Sequence, residues 1–287
     1  MSGKTESTDN STPAISFTLI LYILYFMYIK PVIDLDTLEN PEKYAAVIKN
    51  TYGSTAILFV CVIILQIGFN SMGYQAKCEG NFIGNFGKVF GATFIPWFII
   101  MGSVMISLLT FPGFKGAFSN VLGYYAVSNS ANDILVALLG SSDMNSQIDE
   151  IPEDGSSAKD KMAAAAGAIV KIVGNTSLLI NQITPTNFTE FWKTITPLIK
   201  PELQDPGAHR ELKGKLLENV VLKDNIGEAC WYVYTMILLV TVVKSNIADL
   251  PCGTSVAAIH SRMDKYNKKQ TAVDAENKKK ESVTYKS

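Results

Sequence analysis

The feature that most constrains this 287-residue chain is the placement of its charges. Residues 10–29, 50–76, 89–114 and 229–243 contain no Asp, Glu, Lys or Arg, and aliphatic and aromatic side chains dominate each stretch. A helix needs about 20 apolar residues, at 1.5 Å each, to cross roughly 30 Å of hydrocarbon. Only 18% of the chain is charged and its mean hydropathy is +0.19, where a soluble domain carries about a quarter charged residues. The expected fold class is therefore all-α: a multi-pass helical membrane protein with four transmembrane helices. Composition excludes a disulfide-built secreted domain, a disordered chain and a basic protein that coats DNA.

After a polar N-terminus, residues 1–13, the first span is expected at Ala14–Ile29, opened by Pro13 and closed by Lys30-Pro31. The flank holds Lys4, Glu6 and Asp9 and no cleavage site follows, so the segment reads as a retained anchor and not as a signal peptide. The second span is placed at Thr55–Tyr74. The third is placed at Val89–Thr110, with Phe111-Pro112-Gly113 as its stop and a bend at Pro96, one turn in. The fourth, Ala229–Val243, crosses only with Glu228 and Lys244 at head-group depth. Trp231, Tyr232 and Tyr234 form an expected interfacial aromatic belt there. The region after the fourth span, residues 253–287, has eight basic and four acidic residues, whereas residues 113–228 have ten and fourteen. That bias puts the tail inside and residues 113–228 outside, with loop 31–53 outside and loop 75–88 inside.

Residues 113–228 are long enough for a mostly helical extramembrane domain. Helices are expected at Ala117–Leu139, Lys159–Val173, Ser177–Ile183 and Phe188–Ile195, with a solvated acidic hinge at Asp143–Asp160. From Glu211 the pattern Leu212, Leu216, Leu217, Val220 and Val221 runs without a proline into the fourth span, so one long helix carries the domain onto the membrane. The tail, residues 244–287, reads as a partly disordered basic arm.

No set of residues carries catalytic, cofactor or metal chemistry, and no enzyme activity is expected. Cys61, Cys78, Cys230 and Cys252 have neither C-x-x-C nor zinc spacing. None lies in the large loop, which points to maturation without a disulfide-forming compartment; Cys61 and Cys230 read as packing residues, Cys78 and Cys252 as free thiols near the inner surface or lipidation sites. His209 and His260 read as surface residues. The acidic group at 149–154 lacks the alternating ligands and central glycine of a calcium loop. Gln66 and Thr93 are expected to hydrogen-bond between helices, Gly102-Ser103 offers a small-residue surface, and Tyr22, Tyr25 and Tyr28 form a packing stripe. Asn10, Asn175 and Asn187 begin glycosylation triplets. With 23 lysines but only Arg210 and Arg262, specific nucleic-acid recognition is disfavoured.

The segment Ile95–Leu139 resembles a membrane protein of large DNA viruses of the phycodnavirus and mimivirus group. The likeness rests on Pro96-Trp97 in an apolar span, then Phe111-Pro112-Gly113, then Phe118-Ser119-Asn120 with Gly123-Tyr124. This chain departs from the family pattern at Phe114, where tryptophan is frequent, and near Val121, where threonine is. The resemblance covers about 45 of the 287 residues. It implies a structural protein of a viral inner membrane, linking the bilayer to capsid or minor capsid proteins; the lipid bilayer, those proteins and other copies of the chain are the partners to consider. By residue type, Asn120 and Gly123 would start or bend the helix after the third span. The rival reading is a channel or small-solute transporter of an intracellular membrane, against which stands the lack of a mid-span charge. A tetraspanin-type organiser would carry paired cysteines in its large loop, which this loop lacks.

Overall fold

The computed structural model describes residues 11–78, 82–139, 176–252 and 256–284. Every regular element among them is helical. In chain order they are α1 (Ser11–Leu24, extended by a π-helical turn Tyr25–Ile29), α2 (Leu35–Glu39) and α3 (Pro41–Cys78). Next come α4 (Phe82–Pro96), a π turn Trp97–Met101, α5 (Gly102–Thr110) and α6 (Pro112–Phe118). A second π turn, Ser119–Gly123, leads into α7 (Tyr124–Leu138), followed by α8 (Thr176–Gln182), α9 (Phe188–Ile195), α10 (Pro206–Asp249) and α11 (Val256–Thr284). The expected helix at 159–173 and the acidic hinge lie outside the described residues, as do Asn10 and Asn175.

Four helices are long and apolar enough to cross a membrane: Thr12–Ile29, Pro41–Cys78, Phe86–Thr110 and Pro206–Asp249. This is a membrane protein. Two of these helices greatly exceed a bilayer, since 38 and 44 residues make rods of about 57 and 66 Å. The surplus of α10 carries the domain core through Leu216, Leu217 and Val220, and that of α3 packs against α2. The helix of the third span begins at Phe82, so Pro96 lies well inside it and not one turn from its start. The ring removes an N–H from the ladder, and the chain answers with the π turn that begins at Trp97.

Two cores result. The membrane core packs Tyr22, Tyr25, Leu58, Val62, Trp97 and Met101 against Tyr232, Met236, Leu239 and Val243. Gln66 Nε2 donates to Thr18 Oγ1 at 2.8 Å, tying α3 to α1, and Asn70 Nδ2 donates to Thr93 Oγ1 at 3.2 Å, tying it to α4. Both polar pairs satisfy groups that lipid could not. Tyr22 and Tyr25 are buried but Tyr28 is 75% exposed, because steps of three residues drift round the helix. The domain core gathers Leu135, Leu138, Ile180, Phe188, Trp192 and Ile195 on Leu216, Leu217 and Val220. Helix α10 supplies residues to both cores.

Further expectations are corrected, beginning with His209, the tail and the cysteines. His209 is not a surface residue: its ring is buried beside Trp192, 5.4 Å between centroids, and its Nδ1 lies 2.7 Å from the Leu203 carbonyl oxygen. The first turn of α10 folds over α9, which a linear hydropathy pattern does not reveal. His260 is exposed. The tail is helical from Val256 to Thr284, because no Gly or Pro interrupts a run rich in Ala, Lys, Glu and Gln. Cys78 and Cys252 are joined in a disulfide, with Cα atoms 5.3 Å apart, and are neither free thiols nor lipidation sites, which also overturns the expectation of maturation without a disulfide-forming compartment. They lie 174 residues apart, and only the antiparallel return of α10 alongside α3 brings them together. Cys61 and Cys230 are free.

Candidate functional site: a charge node between membrane and domain

Each span meets the domain at a point where its apolar run ends. Lys30 follows the last residue of the first span, and Lys115 sits one turn beyond Pro112, which opens α6 after the third. Asp224, Glu228 and Tyr232 recur every four residues on α10 and so share one face. That face turns towards both lysines. Lys30 Nζ and Lys115 Nζ donate to the same oxygen, Glu228 Oε2, at 2.9 and 2.7 Å. Tyr232 donates its hydroxyl to Glu228 Oε1 at 2.9 Å, Lys115 also donates to Asp224 Oδ2 at 2.9 Å, and Lys30 to Asn225 Oδ1 at 2.7 Å. The Glu228 side chain is 1% exposed.

The two lysines are not equivalent. Burial lowers the pKa of Lys30 more than Glu228 raises it, so it lies below the ordinary lysine value. Burial pulls Lys115 down too, but the carboxylates of Glu228 and Asp224 outweigh it and hold that lysine above the ordinary value. Lys115 is the fixed cation of the node. Lys30 Nζ lies 5.0 Å from the centre of the Phe26 ring, a cation–π contact that partly compensates its lost hydration.

One helical turn along α10, the backbone itself comes close. A Cβ at Gly227 would lie 2.6 Å from Ser119 Cβ and 2.8 Å from Ser119 N, and a Cβ at Gly123 would collide with the Lys223 carbonyl oxygen. The two glycines let α10 and the Ser119–Gly123 π turn cross backbone against backbone. Lys223, itself buried, then reaches Asn120 Oδ1 at 3.2 Å. Gly102-Ser103, the expected close-approach surface, instead lines an open apolar groove.

The aromatic belt divides. Trp231 stacks on Phe114 at 4.4 Å, meets Phe118 edge-on at 5.1 Å and donates Nε1–H to the Phe114 carbonyl at 3.1 Å. Tyr234 joins this rim, 6.3 Å from Phe118. Tyr232 does not belong to it: the residue is fully buried and points inward at Glu228, which is itself inside the node and not at the head-group surface. The sequence signal for the node was the Asp224-Glu228-Tyr232 spacing together with single lysines at two span exits that alternation places on the same side.

Asn187, whose triplet fits glycosylation, has its side chain engaged: Nδ2 donates to the Gln182 carbonyl at 2.9 Å, and Oδ1 accepts from Thr184 N–H at 2.8 Å. Among the described residues no group of three or more His, Cys, Asp or Glu is placed to hold a metal.

Fold and site together define a four-span helical membrane protein whose long fourth helix joins the bilayer to a helical domain through buried ion pairs. No family model, curated protein or solved structure matches the chain.

Proposed function

We propose that this protein is a non-enzymatic membrane scaffold, embedded in a viral inner membrane and linking its bilayer to capsid or minor capsid proteins. The observation that favours this reading is α10, one uninterrupted helix that carries the domain core at Leu216, Leu217 and Val220 and the membrane core at Tyr232, Met236 and Leu239. A load applied to the domain passes into the bundle without a hinge. The charge node reinforces the junction, and one of its lysines, Lys115, falls between the Phe111-Pro112-Gly113 and Phe118-Ser119-Asn120 motifs that carry the resemblance to virion membrane proteins. The helical tail adds a second surface: Met263, Tyr266 and Val273 are exposed at 56, 66 and 48%, spaced so that Tyr266 and Val273 lie two turns apart on one stripe.

Cross-linking mass spectrometry on intact particles tests the reading. Tail lysines 265, 268 and 269 are expected to join to capsid or minor capsid chains. The variant Met263→Glu/Tyr266→Glu/Val273→Glu is expected to insert normally and to be left out of particles. Wild-type incorporation of that variant, or selective and saturable flux through reconstituted protein, would replace the scaffold with the channel reading.

A further inference from the structure

A small cavity with a few charged groups in a largely apolar wall and an apolar groove meet beside the charge node. The cavity, of about 100 Å³, lies between the exits of the first and third spans, α3 and α10, and its wall includes Lys115, Asp224 and Tyr44. The groove, of about 430 Å³, runs between α3 and the third span, from Tyr52 and Leu109 towards Phe59 and Phe98. Tyr52 and Leu109 line both spaces. From Tyr52 to Phe59 is seven residues of helix, about 10 Å of depth into the bilayer. Ile99 and Ile106 on the groove wall are 58 and 65% exposed on the outer face of the bundle, where acyl chains are the solvent.

We propose that the pair of spaces is one binding site for a zwitterionic glycerophospholipid. One acyl chain lies in the groove, where Gly102 leaves room: a Cβ there meets only Phe59 Cζ, at 3.5 Å. The head group occupies the cavity, against its charged groups. A lysine ammonium has three donors; Lys115 spends two, on Glu228 and Asp224, and offers the third to a phosphate oxygen. Asp224 accepts from Lys115 through Oδ2, leaving Oδ1 for a head-group ammonium, and the rings of Tyr44 and Tyr52 supply the aromatic faces that cations favour. The charges that pair with one another here are Lys30, Lys115, Asp224 and Glu228, two of each sign, while the neighbouring Lys223 does not line the cavity and is engaged by Asn120. A balanced site favours a balanced head group over an anionic one, whose second negative charge would face Asp224.

The site is formed by the bundle with the domain segment 184–186 along the cavity, and it does not depend on the partners proposed above. To test it, the full chain is reconstituted in nanodiscs with equal phosphatidylcholine and phosphatidylglycerol, extracted in mild detergent and weighed intact by native mass spectrometry. One retained phosphatidylcholine per chain is expected. Gly102→Leu, which fills the groove, should lower retention at least tenfold with an unchanged circular dichroism spectrum. Ile106→Trp, at the exposed groove mouth, should lower it in the same sense and serves if Gly102→Leu does not fold. Asp224→Asn should shift the retained lipid towards phosphatidylglycerol. Equal retention by wild type and the groove variants, wild-type preference for phosphatidylglycerol, or no retained lipid would each overturn the proposal.

Discussion

The two ends of the four-span bundle are closed by different chemistry. At the domain end, Lys30, Lys115 and Glu228 hold three elements together through one buried carboxylate. At the other, the Cys78–Cys252 disulfide joins α3 to the chain just after α10, helped by Tyr74, which donates its hydroxyl to the Pro251 carbonyl at 2.8 Å, and by Lys77, which donates to the carbonyls of Ala248 and Leu250 at 2.5 and 2.9 Å. The first clamp depends on charge balance in a poorly hydrated place, so it fails when one partner is lost. The second depends on redox state and withstands loss of its polar neighbours. A bundle closed ionically at one end and covalently at the other should respond to different insults at each.

The largest effect is expected from breaking the ionic end. Glu228→Gln leaves Lys30 and Lys115 buried without their shared counter-charge. Removing one partner of a buried pair costs about 3–5 kcal/mol, enough to lower the thermal midpoint in detergent markedly. The double variant Lys30→Met/Glu228→Gln keeps Lys115 with Asp224 and restores charge balance, so it should recover much of that loss. A double variant no more stable than Glu228→Gln would show that packing around Glu228, and not its charge, closes this end.

Next in size is the covalent end. Cys78→Ser or Cys252→Ser should cost about 2–4 kcal/mol, chiefly by freeing the unfolded chain, and reductant should reproduce that loss in the wild type but leave the variants unchanged. The same bond bears on orientation. Counting Lys and Arg puts this end inside, yet disulfides persist in oxidising compartments, and that bias rests on eight basic residues in the tail against ten in residues 113–228. The bond is the stronger constraint. In sealed microsomes, tail lysines are therefore expected to be protected from trypsin and domain lysines such as Lys193 and Lys200 to be cut. Cutting in the reverse pattern would restore the lysine-based orientation and would require an oxidant on the cytoplasmic side.

Much of the fold was legible because hydropathy is additive along the chain. Each apolar run finds a helix, and the proline-free stretch after Glu211 announces the continuous α10. The node left only a faint trace, the four-residue spacing of Asp224, Glu228 and Tyr232 and a lone lysine at each of two span exits, since its members at 30, 115 and 228 meet only once four antiparallel spans are assembled. The disulfide escaped for the same reason, its partners being 174 residues apart. Gly123 stood out as part of a motif, whereas Gly227 looked like one more helical glycine until the crossing at Ser119 gave it a reason. That crossing makes a third prediction. Gly227→Val should destabilise by about 1–3 kcal/mol through overpacking, with the thermal midpoint falling but the disulfide still forming. An unchanged midpoint would mean that α10 can shift away from the π turn at little cost.

The smallest effect should come from the surface clasp between α2 and α10, where Glu39 accepts from Lys213 at 2.8 Å and Arg210 at 3.1 Å, and Arg210 also donates to Asp36 at 3.1 Å. The hydrogen bond from Lys213, with that from Arg210 and the attraction of both cations, holds the Glu39 carboxyl below its ordinary value of 4.5. Because the folded value is depressed, the contribution is present above pH 4.5 and lost as pH falls through the folded value. Glu39 is 41% exposed, so water and salt screen the pair and the contribution lies at about 0–1 kcal/mol. Glu39→Gln should therefore remove a small, salt-sensitive part of the stability at pH 7 and flatten the acid side of the stability profile. The buried node should hardly respond to salt, because screening acts on exposed charges and leaves desolvated ones nearly untouched. If 1 M salt lowered the midpoint of wild type and Glu39→Gln alike, the salt-sensitive charges would lie elsewhere, and the contrast between a screened clasp and an unscreened node would fail.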